Sequence, residues 1–225
     1  MTAMERLMAV LPDGQTAAMV TSAHSRRYLT GFPSSAGLVL ITREKAYFLT
    51  DSRYSEAAAR AITTAECREY TKVSETLAEL FRLHGIKRVQ IEAEQTTLAE
   101  LGRWRRMLPE TEWVTDGELD RHLAALRLVK TPQEMEKLRQ AQQLTEFGFD
   151  HILSFIREGR TEREIALELE FVIRRQGAEG VSFDFIVVSG ANSSLPHGVP
   201  TDKKVEAGDF VTMDFGAMVD GWHAD

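Results

Sequence analysis

Three side chains in the last third of this sequence have types and settings that could do chemistry: His197, Asp214 and Asp225. The stretch from Thr212 to Asp225 reads as a β-hairpin. Two short apolar-rich runs flank Asp220-Gly221, the pair that a two-residue type I′ turn prefers. That turn sets Val219 opposite Trp222, Met218 opposite His223 and Gly216 opposite Asp225. Side chains alternate along a strand, so Asp214 and Gly216 share a face, and Asp225 falls diagonal to Asp214 on it. Diagonal neighbours lie about 7–8 Å apart. Two carboxylates so placed, with a glycine leaving room beside them, can hold one metal ion, or a pair about 3.5–4 Å apart. The same spacing also occurs on solvated surfaces, and Asp220 is a turn residue. His197 stands between Pro196 and Gly198 on a polar loop over residues 190–200, a setting that favours contact with a ligand. Ser34-Ser35 could be read as a nucleophile pair, but neither a helix start nor a base is placed beside it.

The elements that must position these groups are legible from caps and periodicity. Thr131-Pro132-Gln133-Glu134 combines an N-cap, proline at the first helical position and a capping-box glutamate. It opens a helix to about Ile156, with Met135, Leu138, Leu144, Phe149, Ile152 and Phe155/Ile156 as its apolar face. Thr161 and Glu164 form a second capping box, and Gly177 closes that helix after Arg175. Residues 183–189 then read as a strand leading into the His197 loop.

The first half predicts a helix within residues 1–11 and strands at 17–21, 36–42 and 45–50, the last two as a hairpin. An aromatic-anchored loop is expected at 28–33. A helix capped by Asp51 or Ser52 should run through Arg60. Helices at 74–84 and 97–108 alternate with strands at 89–91 and 112–114. This order indicates an α/β domain with a mixed sheet. The texture changes over residues 116–126, where a domain boundary is expected.

A chain of 225 residues suits one large or two ordinary domains. Its 43% hydrophobic and 27% charged residues are those of a soluble globular protein. A net charge of −7 disfavours nucleic acid or anionic membrane as a main partner. The densest basic run, Arg103-Trp104-Arg105-Arg106, lies in a helical pattern and reads as a solvated face. The single cysteine, Cys67, excludes an internal disulfide and fits a reducing cytoplasm. The N-terminus, with Glu5 and Arg6, lacks the apolar core of a signal peptide, and no apolar run reaches the length of about 18–20 residues that a membrane span needs.

Several motifs occur together in a fixed order: Tyr28-Leu29-Thr30-Gly31-Phe32, Leu49-Thr50-Asp51-Ser52-Arg53-Tyr54, Leu126 to Glu134 with Ala141, Phe183 to Gly190, Leu195-Pro196-His197-Gly198, Gly208-Asp209, and Asp214-Phe215-Gly216 with Gly221-Trp222 and Asp225. In these the sequence resembles the pita-bread metallopeptidases, in the proline dipeptidase/aminopeptidase P/creatinase branch, along essentially its whole length.

The resemblance implies an α/β (α+β) fold. Residues 1–122 would form a creatinase/prolidase-type N-terminal domain with a mixed sheet, and residues 127–225 the truncated first half of a pita-bread catalytic domain. It implies hydrolysis of Xaa-Pro bonds with two divalent metal ions, Mn²⁺ or alternatively Co²⁺ or Zn²⁺. Asp214 would ligate one metal, Asp225 would bridge both, and His197 would contact the bound peptide without binding metal. A homodimer, a peptide substrate with proline at its second position and a cytoplasmic setting are implied as well.

The family's remaining histidine and two glutamate ligands fall beyond Asp225. This chain alone is therefore expected to hold an incomplete site, to be inactive, and to leave apolar surface and a sheet edge uncovered. A non-catalytic binding or chaperone module and a creatinase-like hydrolase remain the alternatives.

Overall fold

Every residue of β1 (Thr16–Val20), β2 (Leu38–Ile41) and β3 (Ala46–Thr50) is buried, so both faces of their sheet must be covered. In the computed structural model, which describes residues 1–225, they are the centre of a six-stranded sheet. Its other strands are β4 (Glu66–Glu69), β5 (Arg88–Ile91) and β6 (Glu112–Val114), in the order β4-β3-β2-β1-β5-β6. β1–β2 and β2–β3 pair antiparallel and the remaining ladders are parallel, so the sheet is mixed.

Alternation divides the side chains between two cores. Ala18, Val20, Val39, Ile41 and Phe48 pack with Met4 and Leu7 of α1 (Ala3–Val10) and Leu119, Leu123 and Leu126 of α6 (Glu118–Leu128). Ala17, Met19, Leu38, Leu40, Tyr47 and Leu49 face Leu77, Leu80 and Phe81 of α4 (Val73–His84). Two further helices are α3 (Ser55–Ala61) and α5 (Leu98–Met107), the latter opened by a Thr97/Glu100 capping box. These elements form one compact unit, Met1–Val129, and Lys130–Asp225 forms a second. No helix is long and apolar enough to cross a membrane.

The structure departs from the expected elements at several points. Residues 28–30 are not loop but the last turn of α2 (Ala23–Thr30), which Ser22 caps and left-handed Gly31 ends. Neither Asp51 nor Ser52 caps α3. Its N-cap is Tyr54, without a side-chain bond, and the Asp51 carboxylate turns back onto the Arg53 N–H at 3.0 Å and its guanidinium at 2.7 Å. β4 escapes notice because its Glu-Cys-Arg-Glu sequence is that of a polar edge. α6 escapes because left-handed Gly117, which gives no side-chain cap, starts it.

In the second unit, α7 (Pro132–Phe155) and α8 (Glu162–Arg175) begin at their expected capping boxes. The buried stripe of α7 is only partly the large apolar set expected, of which Ile152 is buried and Leu144, Phe155 and Ile156 pack against the core. It is Ala141, Thr145, Gly148 and Ile152, while Phe149 is 43% exposed and Met135 38%. Small residues let α8 come close: a Cβ on Gly148 would meet Ile173 Cγ1 at 2.7 Å.

Regular pairing of the strand expected from residue 183 begins only at β8 (Ile186–Ser189), after the short β7 (Gly180–Val181). The strand expected from Thr212 to Val219 is broken. β9 (Val211–Asp214) pairs with β8 in one ladder, whereas β10 (Ala217–Val219) pairs with β7 and β11 (Trp222–His223) in another.

The first residue of α8, Glu162, is fully buried, and its carboxylate accepts from the backbone N–H groups of Ser189 at 2.6 Å and Thr201 at 3.0 Å. Burial pushes this carboxyl up, but the bonds from Thr201, Ser189 and Asn192 outweigh it and hold the group below the usual carboxylate range. A carboxyl lowered by folding adds stability that is full above its unfolded value of about 4.3 and is lost as pH falls through the folded value. Urea unfolding followed from neutral pH down to about pH 3 should show stability falling below about pH 4.3. Glu162→Gln should be less stable at neutral pH and should lose less over that interval.

Candidate metal and peptide site

Asp220 and Gly221 have φ of 50° and 78°, the two positive angles of a type I′ turn, and Val219 pairs with Trp222 and Met218 with His223 as expected. Two contacts fix this hairpin: Gly221 N–H donates to Glu179 Oε2 at 3.0 Å, and Lys137 Nζ lies 3.2 Å from Asp220. The regular ladder stops at His223, although Ala224 N–H still reaches Ala217 O at 2.9 Å.

Beyond it, the Ala224 carbonyl lies flush on Gly216. A methyl at residue 216 would overlap that oxygen deeply and meet Ser182 Oγ at 2.9 Å. Ser182 N–H donates to Gly216 O at 2.8 Å, and its hydroxyl donates to Ala217 O at 2.9 Å. From the helix side the buried Thr145 hydroxyl accepts the Ala217 N–H at 3.0 Å and donates to Ala141 O at 3.1 Å.

The break at Phe215-Gly216 therefore leaves Asp214 at the end of the β8–β9 ladder and Asp225 two residues past the end of β11, in place of the diagonal of one strand pair. Both nevertheless line the same cleft, of about 480 Å³, whose wall is Met213 and Phe215 on one side and α7 residues Gln142, Thr145, Glu146, Phe149 and Asp150 on the other. Both aspartates are solvent-exposed there, open to a ligand. Their hard carboxylate oxygens suit a divalent cation such as Mn²⁺. The donor set is partial: in these 225 residues no three His, Cys, Asp or Glu side chains converge as a metal cluster.

His197 is exposed and is not part of this cleft's wall. Its loop leaves from Ser189, which pairs with Val211, three residues along β9 from the Asp214–Ile186 pair and so about 10 Å away along the strand. Glu146 and Asp150 were not expected at the cleft. Gln142, Glu146 and Asp150 recur every four residues, the spacing of one helix face, and that signal was available in the sequence. Ser35 hydrogen-bonds Tyr54 through its hydroxyl at 2.7 Å, with no base beside it.

The first unit is a mixed-sheet α/β domain, and the second is part of a pita-bread catalytic domain. The sequence profile of the creatinase/prolidase N-terminal domain matches residues 11–140, and that of metallopeptidase family M24 matches residues 136–225. The chain belongs to this family, in its prolidase and aminopeptidase P branch.

It is 40% identical over 208 residues to the uncharacterized peptidase YqhT of Bacillus subtilis, covering 92% of this chain and 58% of that protein. It superposes on an Xaa-Pro dipeptidase from Bacillus anthracis with a TM-score of 0.90 and 37% identity, covering 99% of this chain and 62% of the other. An X-Pro aminopeptidase from Thermotoga maritima gives 0.87 and 33%, covering 100% and 64%. The chain thus spans somewhat under two thirds of the length of these relatives.

Because the obstacle at Gly216 is backbone, Gly216→Ala must move the 224–225 segment. It should cost at least about 1–3 kcal/mol in denaturant unfolding. It should also weaken Mn²⁺ binding measured by calorimetry more than Gly14→Ala does, since a methyl on Gly14 meets nothing within 4 Å and the backbone there has no positive φ.

Proposed function

We propose that the protein carrying this chain is a metal-dependent hydrolase of Xaa-Pro peptide bonds, with Asp214 and Asp225 among the ligands of two divalent ions. The observation that carries this reading is that these two carboxylates, one at the end of β9 and one just past β11, open into one cleft. The names of the solved relatives, an Xaa-Pro dipeptidase and an X-Pro aminopeptidase, support the substrate class.

Residues 1–122 serve as the N-terminal domain and 127–225 as the first half of the catalytic domain. Asp214 and Asp225 would hold the ions through their carboxylate oxygens. When bound, the ions supply a deprotonated water and polarise the scissile carbonyl. Mn²⁺ is the favoured metal on ligand hardness. His197 contacts the peptide, which carries proline at its second position. The protein works as a homodimer in the cytoplasm, a setting with which its one, unpaired cysteine agrees. Residues 1–225 alone bring only two of the ligands together and do not turn over substrate.

Hydrolysis of Xaa-Pro dipeptides and of longer Xaa-Pro peptides by the full-length protein with Mn²⁺ tests this. Asp214→Asn and Asp225→Asn should each lower kcat/KM at least about 100-fold, since even removing a group that only supports a ligand costs 10–100-fold. Unchanged rates in both variants would remove the aspartates from the site. An inactive wild type would reject the peptidase reading itself.

A further inference from the structure

The buried carboxylate at the start of α8 is not explained by capping. Thr161 and Glu164 already close that box: Thr161 Oγ1 accepts the Glu164 N–H at 3.1 Å, and Glu164 accepts the Thr161 N–H at 2.9 Å. Nor does it fill space in the core, where an apolar side chain would serve without the cost of burying a charge.

What the carboxylate does is bridge two pieces of chain. Oε1 accepts from Ser189 N–H at 2.6 Å, Ser189 Oγ at 3.1 Å and Asn192 Nδ2 at 3.2 Å. Oε2 accepts from Thr201 N–H at 3.0 Å and Thr201 Oγ1 at 2.6 Å. Ser189 and Thr201 are the two feet of the loop over residues 190–200. The backbone of α8 grips only the returning limb, through Glu162 N–H to Lys203 O at 3.0 Å and Arg163 N–H to Thr201 O at 3.1 Å. The Glu162 side chain reaches the outgoing limb as well. Lys203 reinforces the junction, 3.2 Å from Ser189 Oγ and 2.6 Å from Asp209.

Between its feet, and apart from the bonds to Glu162, the loop has two bonds to the neighbouring strand region, Gly190 N–H to Phe210 O at 2.9 Å and Thr212 Oγ1 to Ser193 O at 3.3 Å, and is otherwise tied to itself. Ser193 Oγ donates to Gly190 O at 2.7 Å, Leu195 N–H to Asn192 O at 3.0 Å and Gly198 N–H to Leu195 O at 3.2 Å. A loop with such internal bonds moves as a piece, and its orientation is set where it is anchored.

We infer that Glu162 is the positioning residue of the His197 loop: its two carboxylate oxygens clasp the loop's feet and thereby set where His197 meets the peptide. The peptide contact rests on the function proposed above. The clasp itself rests only on these hydrogen bonds.

The test uses the full-length protein and reads two quantities, amide hydrogen exchange and steady-state kinetics on an Xaa-Pro dipeptide with Mn²⁺. In Glu162→Gln, whose amide nitrogen cannot accept and so gives up one of the two feet, residues 189–201 should exchange at least about tenfold faster, and by a clearly larger factor than α7 and the body of α8, which speed up only with the loss of global stability. KM should rise about tenfold with kcat little changed, the mark of lost substrate positioning. Thr201→Val should give a smaller change of the same kind, and Thr201→Ser, which keeps the hydroxyl, should behave as wild type. The two Thr201 variants decide the matter if Glu162→Gln does not fold.

Faster exchange spread evenly over Lys130–Asp225, an unchanged loop, or a fall in kcat at constant KM would overturn the inference. If the wild type hydrolyses no Xaa-Pro peptide, the peptidase reading fails, and the exchange pattern alone decides whether Glu162 is the clasp.

Discussion

The contact on which the candidate site depends is the close passage of the Ala224 carbonyl over Gly216, backed from the helix side by the Thr145 hydroxyl on Ala217 N–H. Here the chain changes ladders, and a buried backbone that leaves one ladder must satisfy its polar groups elsewhere. Thr145, Ser182 and Ala224 do this between them. The arrangement leaves no room for a side chain at residue 216. It brings the end of β9 and the segment after β11 to one cleft without pairing them to each other. The same stretch seats the hairpin on α7 through Thr145, one residue of that helix's buried stripe.

The two units meet the problem of burying a sheet differently. The first covers both faces of its sheet with helices, so its central strands are buried throughout and almost wholly apolar. The second has short ladders of two and three strands, packed through Val187, Phe215 and Ala217 against Ile152, Ile165, Leu169 and Ile173 of its two helices. So little sheet cannot orient a long loop by ladder bonds alone. A fully satisfied buried carboxylate is a strong local substitute, because its charge makes each bond to it stronger than one between neutral groups.

Legibility in the sequence followed the range of the interactions involved. Capping boxes at Thr131 and Thr161 involve residues three apart, and both helices start where those residues place them. The Asp220-Gly221 turn is equally local. α6 was missed although Leu119, Leu123 and Leu126 have helical spacing, because Gly117 gives no start signal. β4 was missed because an edge strand needs no apolar alternation.

The nonlocal features were out of reach. Nothing near Gly216 in sequence announces that Ala224 lies on it, so the two aspartates were assigned to one strand pair. Glu162 looked like an ordinary acidic residue in a helix's first turn; its partners are 27 to 39 residues away. Of the large apolar residues expected to bury α7, Ile152 does so, but Phe149 and Met135 are exposed, and Ala141, Thr145 and Gly148 complete the buried stripe. Close packing selects for small side chains, which periodicity counts weight lightly.

The edge of the first unit carries one more consequence. Cys67 sits on β4 opposite Phe48, half-buried, with its thiol pushed up by burial and by the Glu66 charge. Little thiolate is present at neutral pH, so the folded edge reacts slowly with electrophiles. Each opening of β4 away from β3 frees the thiol. With a single cysteine in the chain, the rate of its alkylation is a built-in clock for the fraying of one defined strand.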